Sequence, residues 1–329
     1  MRSYCYDDNG NRTSRDASSS TTDCATANPT SSFDGANQQL TGPDGANSDF
    51  AYDLDGNETS AASKPLTNAY TRATGWSDNQ QATTVAVNGD PAASSSYLGA
   101  SQDTLLSAGK SATSSDTLRN TNLGVTRVTG LVNGATSTDM TVTRDPDGLI
   151  LSLRDSSGDR YYPLSDNQHS VLRIVNATGN AVDSYSYDPF GVRTVNTNAY
   201  PQPFGYTGEY TNPTTGLVHL GARWYDPSQG RFTSTDPETH PGDINQTSPY
   251  PYAGNDPINH TDPTGHSFFS AVGDFVGTVG TFAGTGAAVG GTIGLFVGGP
   301  PGAATGAVIG GAVGTIAGVA YGIADIFVD

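Results

Sequence analysis

Cysteine and lysine are scarce in this chain, and each scarcity narrows what it can be. Two cysteines, Cys5 and Cys24, are too few for a disulfide framework, though they leave one pairing open in an oxidising compartment. No CxxC or Cys/His cluster offers zinc its ligands, and the five histidines (169, 219, 240, 260 and 266) share no ligand spacing, so neither metal nor cofactor is expected. Lysine occurs only at Lys64 and Lys110, and 15 basic residues face 32 acidic ones, for a net charge of −17. A field of that sign repels phosphate backbones, which excludes nucleic acid as a partner of the main body. No GxSxG, P-loop or HExxH is present. The opening MRSYCYDDNG has no basic segment leading into an apolar run, so no signal peptide is expected within this chain.

What is abundant points the other way. Asn, Asp, Gly, Ser and Thr are frequent, and Tyr (16) outnumbers Phe (11), a mix that favours strands joined by many turns. A unit recurs: Tyr6-Asp7-Asp8-Asn9-Gly10-Asn11, then Phe33-Asp34-Gly35-Ala36-Asn37, then Tyr52-Asp53-Leu54-Asp55-Gly56-Asn57, and later Tyr187-Asp188-Pro189-Phe190-Gly191. In each, the aromatic suits a strand face, the Asp can bond back to the turn backbone, and Gly or Asn supplies positive φ. Apolar runs at Thr83–Val87, Gly124–Val128 and Ser170–Val175 predict strands, whereas 92–96 and 107–115 read as loops or weak strands. The Asp-rich turns at Asp7 and Asp53 have alternating oxygens of the kind calcium takes, but no Glu closes them at the twelfth position.

Further along, motifs follow one another in order. They include Tyr185-Ser186-Tyr187-Asp188-Pro189-Phe190-Gly191, Phe204-Gly205-Tyr206-Thr207-Gly208-Glu209, and Gly221-Ala222-Arg223-Trp224-Tyr225-Asp226-Pro227. Gly230-Arg231-Phe232, Asp236-Pro237, Tyr252-Ala253-Gly254-Asn255 and Asp262-Pro263-Thr264-Gly265 complete the series. Together with the repeats, this resembles the RHS repeat-associated core of the RHS/YD-repeat family. The resemblance implies a β-sheet strip that spirals into a shell, a core that closes it, and a variable C-terminal tip. It also implies that the chain is the C-terminal part of a longer protein.

The same resemblance singles out Asp236 and Asp262 as a pair for self-cleavage after Gly265 or His266, with Arg231 setting their charge balance. Two nearby carboxylates resist double ionisation, so one serves as acid while the other activates water. The chain departs from the pattern at Thr239, which replaces a glycine, at the 26-residue aspartate spacing and at His266. Asp-Pro also starts turns without any chemistry, as at Asp90, Asp145 and Asp226.

The last stretch is different in kind. Glycine stands at every fourth position from 286 through Gly290, Gly294, Gly298, Gly302, Gly306, Gly310, Gly314, Gly318 and Gly322, and Phe275–Ala324 holds no charge. Period four lies near the helical 3.6, which lines Gly286 and its nine successors along one helix face. Seventeen glycines follow His266, and at about 1 kcal/mol each they would cost a water-exposed helix on the order of 15 kcal/mol. Small-xxx-small stripes instead suit close helix packing in a membrane. Pro300-Pro301 divides the tract into helices at about 275–299 and 301–324, each about 36 Å long against a hydrocarbon core of about 30 Å. A flexible linker, a hairpin buried in the shell and a β-stack are the competing readings.

The expected organisation is mainly β. A degenerate YD/RHS shell segment spans 1–182, the core 183–265, and a Gly-xxx-Gly hydrophobic α-helical hairpin 266–329. The leading expectation is a secreted or surface toxin-like protein whose tip inserts into membranes through 275–324. An immunity protein and self-association through the glycine stripe would be its partners. One alternative is a membrane-anchored surface or adhesion protein; the other is a core that acts once, enzymatically, on its own chain.

Overall fold

The computed structural model describes residues 3–16, 24, 31–42, 50–63, 70–99, 103–237, 248–266 and 269–270. The chain divides into two compact units, Met1–Phe268 and Phe269–Asp329. The glycine stripe and both expected tip helices lie outside the described residues, as does Thr239. Among the described residues no helix is long and apolar enough to cross a membrane.

The first unit is built from hairpins laid down in chain order. Strands β1 (Ser3–Tyr6) and β2 (Arg12–Asp16) pair, as do β3 (Ser32–Phe33) and β4 (Gln39–Thr41). A five-stranded sheet follows: β5 (Ala51–Tyr52), β6 (Glu58–Ser63), β7 (Tyr70–Trp76), β8 (Ala82–Val87) and β9 (Ala93–Ser94). Ten more strands, β10 (Ser96–Leu98) to β19 (Arg193–Asn198), form one sheet in unbroken sequence order, each antiparallel to the last. The segment expected to be loop or weak strand contributes β11 (Thr104–Ser111) and the start of β12 (Ser114–Thr121). Its small residues are what close approach requires, since a Cβ on Gly109 would sit 2.6 Å from the Ser94 amide nitrogen. β18 (Ala181–Tyr187) carries the ten-stranded sheet across residues 182 and 183.

The turns explain themselves locally. Asp7 Oδ1 accepts the Asn9 and Asn11 amides at 3.0 and 2.8 Å, while Asn11 Nδ2 donates to Asp7 Oδ2 at 3.0 Å. Gly10 supplies the positive φ, +79°. The pattern repeats at Asp53, and also at Asp145, Asp155, Asp166 and Asn176, where no Tyr-Asp pair announces it. These side-chain oxygens are engaged by their own backbone, which accounts for the calcium-like spelling of the turns at Asp7 and Asp53.

One face of the ten-stranded sheet is apolar. Leu118, Met140, Val142, Leu153 and Ile174 point inward and meet Phe204, Tyr210, Leu217 and Trp224 from the following segment. Each such side chain contributes about 1.5–3 kcal/mol when fully buried. A second cluster, around Tyr206, Leu220, Tyr225, Phe232 and Tyr252, surrounds a small sheet of β20 (Val218–Leu220), β21 (Arg223–Asp226) and β22 (Arg231–Phe232). This is a plug. The early turns dock on it one after another: Asn255 Nδ2 donates to the Gly10 carbonyl at 2.6 Å, and the Tyr250 hydroxyl to the Gly56 carbonyl at 2.8 Å.

Cys5 and Cys24 form a disulfide, which resolves the pairing that composition left open.

Candidate active site: the Arg223 clamp

The Asp262-Pro263-Thr264-Gly265 stretch folds as a tight turn. Asp262 Oδ1 accepts the Gly265 amide at 2.9 Å and the Thr264 hydroxyl at 3.3 Å. Gly265 adopts φ +68°, and a Cβ there would fall 2.2 Å from the Leu220 carbonyl oxygen. The turn lies directly on the Gly221–Ala222 link between β20 and β21, where the Ala222 amide donates to the Thr264 carbonyl at 2.9 Å.

Arg223, the first residue of β21, gathers the site. Its Nη2 meets Asp236 Oδ2 at 2.8 Å and Asp262 Oδ2 at 3.4 Å. Its Nε donates to the Gly265 carbonyl oxygen, and its Nη1 to the Pro249 carbonyl at 3.1 Å. The guanidinium lies over the Phe232 ring, 3.6 Å from its centroid. Arg223 and Asp262 are buried, whereas the Asp236 side chain keeps 13% of its exposure. The two aspartates therefore share one cation, and that cation also holds the carbonyl of Gly265.

Burial and charge act on Asp262 and Arg223 together. Burial pushes the Asp262 carboxyl above the usual range; Arg223 and the Gly265 amide pull it back, and Asp236 pushes it further up. Burial also lowers the Arg223 value, with both aspartates opposing. Asp262 is thus the buried carboxyl and Asp236 the more accessible one, and two carboxylates in unlike surroundings are a pattern that acid–base chemistry uses.

Arg231 corrects the sequence reading. It was expected on the aspartates, but its Nη1 donates to Asn11 Oδ1 at 2.9 Å, its Nη2 donates to the Asn37 carbonyl, and its guanidinium stacks on Phe33 and Tyr250. It fastens two repeat turns to the plug. The two arginines lie on adjacent strands, and only the pairing of β21 with β22 and the fold around them sends Arg223 to the aspartates and Arg231 to the strip. Both arginines lie in runs that mark the core, Gly-Ala-Arg-Trp-Tyr and Gly-Arg-Phe, so motif order alone does not choose between them.

A second ionic node joins strip to plug. Arg72 on β7 bridges Glu58 on β6 and Asp226 on β21, the latter at 3.3 Å, with all three side chains buried. Asp226 also accepts Ser228 Oγ at 2.6 Å and Gln229 Nε2 at 3.0 Å, so this Asp-Pro pair is more than a turn opener.

Sequential antiparallel hairpins closed by a compact plug define the molecule's class, a YD-type β-shell. Residues 120–258 match the family model described as Teneurin YD-shell. Curated relatives include salivary gland surface protein 1 of Aedes aegypti, 31% identical over 164 residues (49% of this chain, 4% of the relative). Teneurin-4 of Homo sapiens is 32% identical over 141 residues (41% and 5%), and the tRNA nuclease WapA of Bacillus subtilis (strain 168) is 34% identical over 105 residues (30% and 4%). The chain thus spans only 4–5% of the length of these relatives. The crystal structure of TcdB2-TccC3-TEV overlays on 80% of this chain and 17% of its own, at 17% identity and a TM-score of 0.47. Residues 120–258 of the chain are thus a YD-shell segment of the RHS/YD-repeat type.

Proposed function

We propose that the plug cuts its own chain at the Gly265–His266 peptide bond and so frees the segment that follows. The observation that carries this reading is the Arg223 clamp, which joins Asp236, Asp262 and the Gly265 carbonyl through one guanidinium. Asp236, the more accessible carboxylate, takes a proton from water as the water oxygen bonds to the Gly265 carbonyl carbon. Arg223 Nε donates to the oxygen on which negative charge then develops, the kind of fixed donor that lowers such barriers most. Asp262 passes its proton to the His266 nitrogen as the C–N bond breaks, leaving a Gly265 carboxyl and a free amine.

The freed segment is, in this proposal, the working part of a secreted or surface toxin-like protein. Its uncharged Phe275–Ala324 tract, with glycine at every fourth position, supports insertion into a lipid membrane and self-association along the stripe. A neighbouring immunity protein would protect the producer. The rival, a surface β-protein anchored by the same tract, draws on the name of the mosquito relative and requires no cut.

The deciding experiment is expression of the full chain with mass spectrometry of the products. Two pieces with a new N-terminus at His266, lost in both Asp236→Asn and Asp262→Asn, are expected. A wild-type chain that stays whole at neutral and mildly acid pH would overturn self-cleavage. Expression of residues 266–329 alone then separates toxin from anchor: growth arrest with membrane fractionation indicates the former, harmless fractionation the latter.

A further inference from the structure

We infer that Gln81, a strip residue outside the core, is a positioning residue for the Arg223 clamp and makes processing depend on docking of the strip. The inference rests on the self-cleavage reading above and adds a residue and a regulatory coupling to it.

Gln81 closes the Ser77–Gln81 turn just before β8, where its amide is held by the Ser77 hydroxyl at 3.2 Å and its carbonyl by the Ser77 amide at 2.9 Å. With its backbone tied to that turn, its side chain crosses into the plug, 2% exposed, and donates from Nε2 to the Ala222 carbonyl at 2.6 Å. Ala222 is the residue that matters for the clamp. Its own amide holds the Thr264 carbonyl, and its carbonyl carbon begins the peptide bond to Arg223. Ala222 is therefore fixed from two sides, by the strip through its C=O and by the turn bearing the bond to be cut through its N–H.

Space around the link leaves little slack. Gly221 runs at φ +49°, and a Cβ there would lie 2.3 Å from the Thr264 carbonyl oxygen, so the two backbones touch. Small rotations of the 221–223 backbone thus shift Arg223 Nε relative to the Gly265 carbonyl. A buried carbonyl without its donor would also favour such a rotation toward any other partner. Other strip-to-plug contacts differ in this respect. The Tyr250 hydroxyl, for instance, donates to the Gly56 carbonyl on the strip and not to residues 221–223. Consequently a strip that is not docked leaves the Ala222 carbonyl without its donor and the link held from one side only, and the cut waits until the strip is in place.

The test uses the full chain made by cell-free synthesis, with the intact fraction followed over time. Gln81→Met keeps length and removes the donor; Tyr250→Phe removes a strip-to-plug hydrogen bond of the other kind. Cleavage slowed at least tenfold in Gln81→Met, with Tyr250→Phe within threefold of wild type, is the expected result. Equal slowing in both would reduce Gln81 to general docking and overturn the inference, as would wild-type speed in Gln81→Met. Hydrogen exchange at the Ala222 amide, in an Asp236→Asn background that cannot cut and keeps the Asp262 turn, gives a readout independent of cleavage. Ala222 exchange at least tenfold faster in Gln81→Met, and not in Tyr250→Phe, supports the positioning role even if the wild-type chain proves uncut, an outcome that would remove the self-cleavage reading alone. Unchanged exchange at Ala222 in Gln81→Met overturns it.

Discussion

Two turns of this molecule are nearly the same object. Asp53 Oδ1 accepts the Asp55 and Asn57 amides, Asp262 Oδ1 accepts the Gly265 amide, and in both a glycine three residues on, at positive φ, completes the turn. They differ in the second carboxylate oxygen. Asp53 Oδ2 is held by the side chain of its own Asn57 at 2.9 Å, whereas Asp262 Oδ2 faces Arg223, 39 residues away, which also holds Asp236. A local partner makes the turn a structural unit that can be repeated along the strip. A distant cation shared with a second carboxylate gives it a chemistry of its own. The difference lies in the partner, not in the turn.

The largest expected effect breaks the comparison outright. Asp262→Asn should abolish cleavage, at least ~100-fold, because the acid is gone and the amide cannot replace it. Arg223→Lys should do nearly as much, since one ammonium cannot serve two carboxylates and a carbonyl as a planar fork does. Asp53→Asn should leave the cut within a few-fold of wild type. Intact-mass time courses on the three variants check this, and equal losses at both turns would show that the turn itself, not its partner, matters.

Next in size is the packing of the plug. Trp224 donates from its indole nitrogen to the Tyr97 hydroxyl at 2.8 Å and packs edge-on against His219 at 4.9 Å. Trp224→Ala should cost about 3–5 kcal/mol of stability by urea unfolding. A loss no greater than that of a surface substitution would mean the plug is not a core.

The ionic node predicts a pH dependence opposite to that of most paired carboxylates. Burial pushes the Glu58 carboxyl up to about 7; Arg72 pulls it down, and Asp226 pushes it up. As pH falls, the folded chain binds this proton near 7, while the unfolded chain waits until about 4.3. Between those values the folded state holds more protons, so this group's contribution to stability rises as pH falls. Relative to Glu58→Gln, the wild type should gain on the order of 1–3 kcal/mol between pH 7.5 and 5. A gain of the same size in the variant would trace the effect to other groups.

The smallest effect sharpens the comparison. Asp53→Asn keeps an oxygen for the amides but sets an NH2 against the Asn57 donor, for a loss of about 1 kcal/mol. Thermal melts read it directly, and a loss above about 3 kcal/mol would give the Asp53 turn a role beyond its own hairpin.

Much was legible in the letters because its physics is local. The β class, the Asp-to-Gly turns, and the strands at 83–87, 124–128 and 170–175 all follow from interactions within a few residues. The units at Asp145 and Asp155 are harder to read because the bond depends on the Asp oxygen and a residue at positive φ, while the aromatic that marks the other repeats is absent. Asp236 and Asp262 could be singled out from motif order, yet nothing local distinguishes Arg223 from Arg231. What tertiary structure alone decided is which cation faces which anion, and from how far. Arg223 reaches Gly265 across 42 residues, and Gln81 reaches Ala222 across 141. Contacts at such separations depend on register, strand pairing and the docking of one sheet on another. They exist only when the whole chain has been placed, whereas a turn needs only its own five residues.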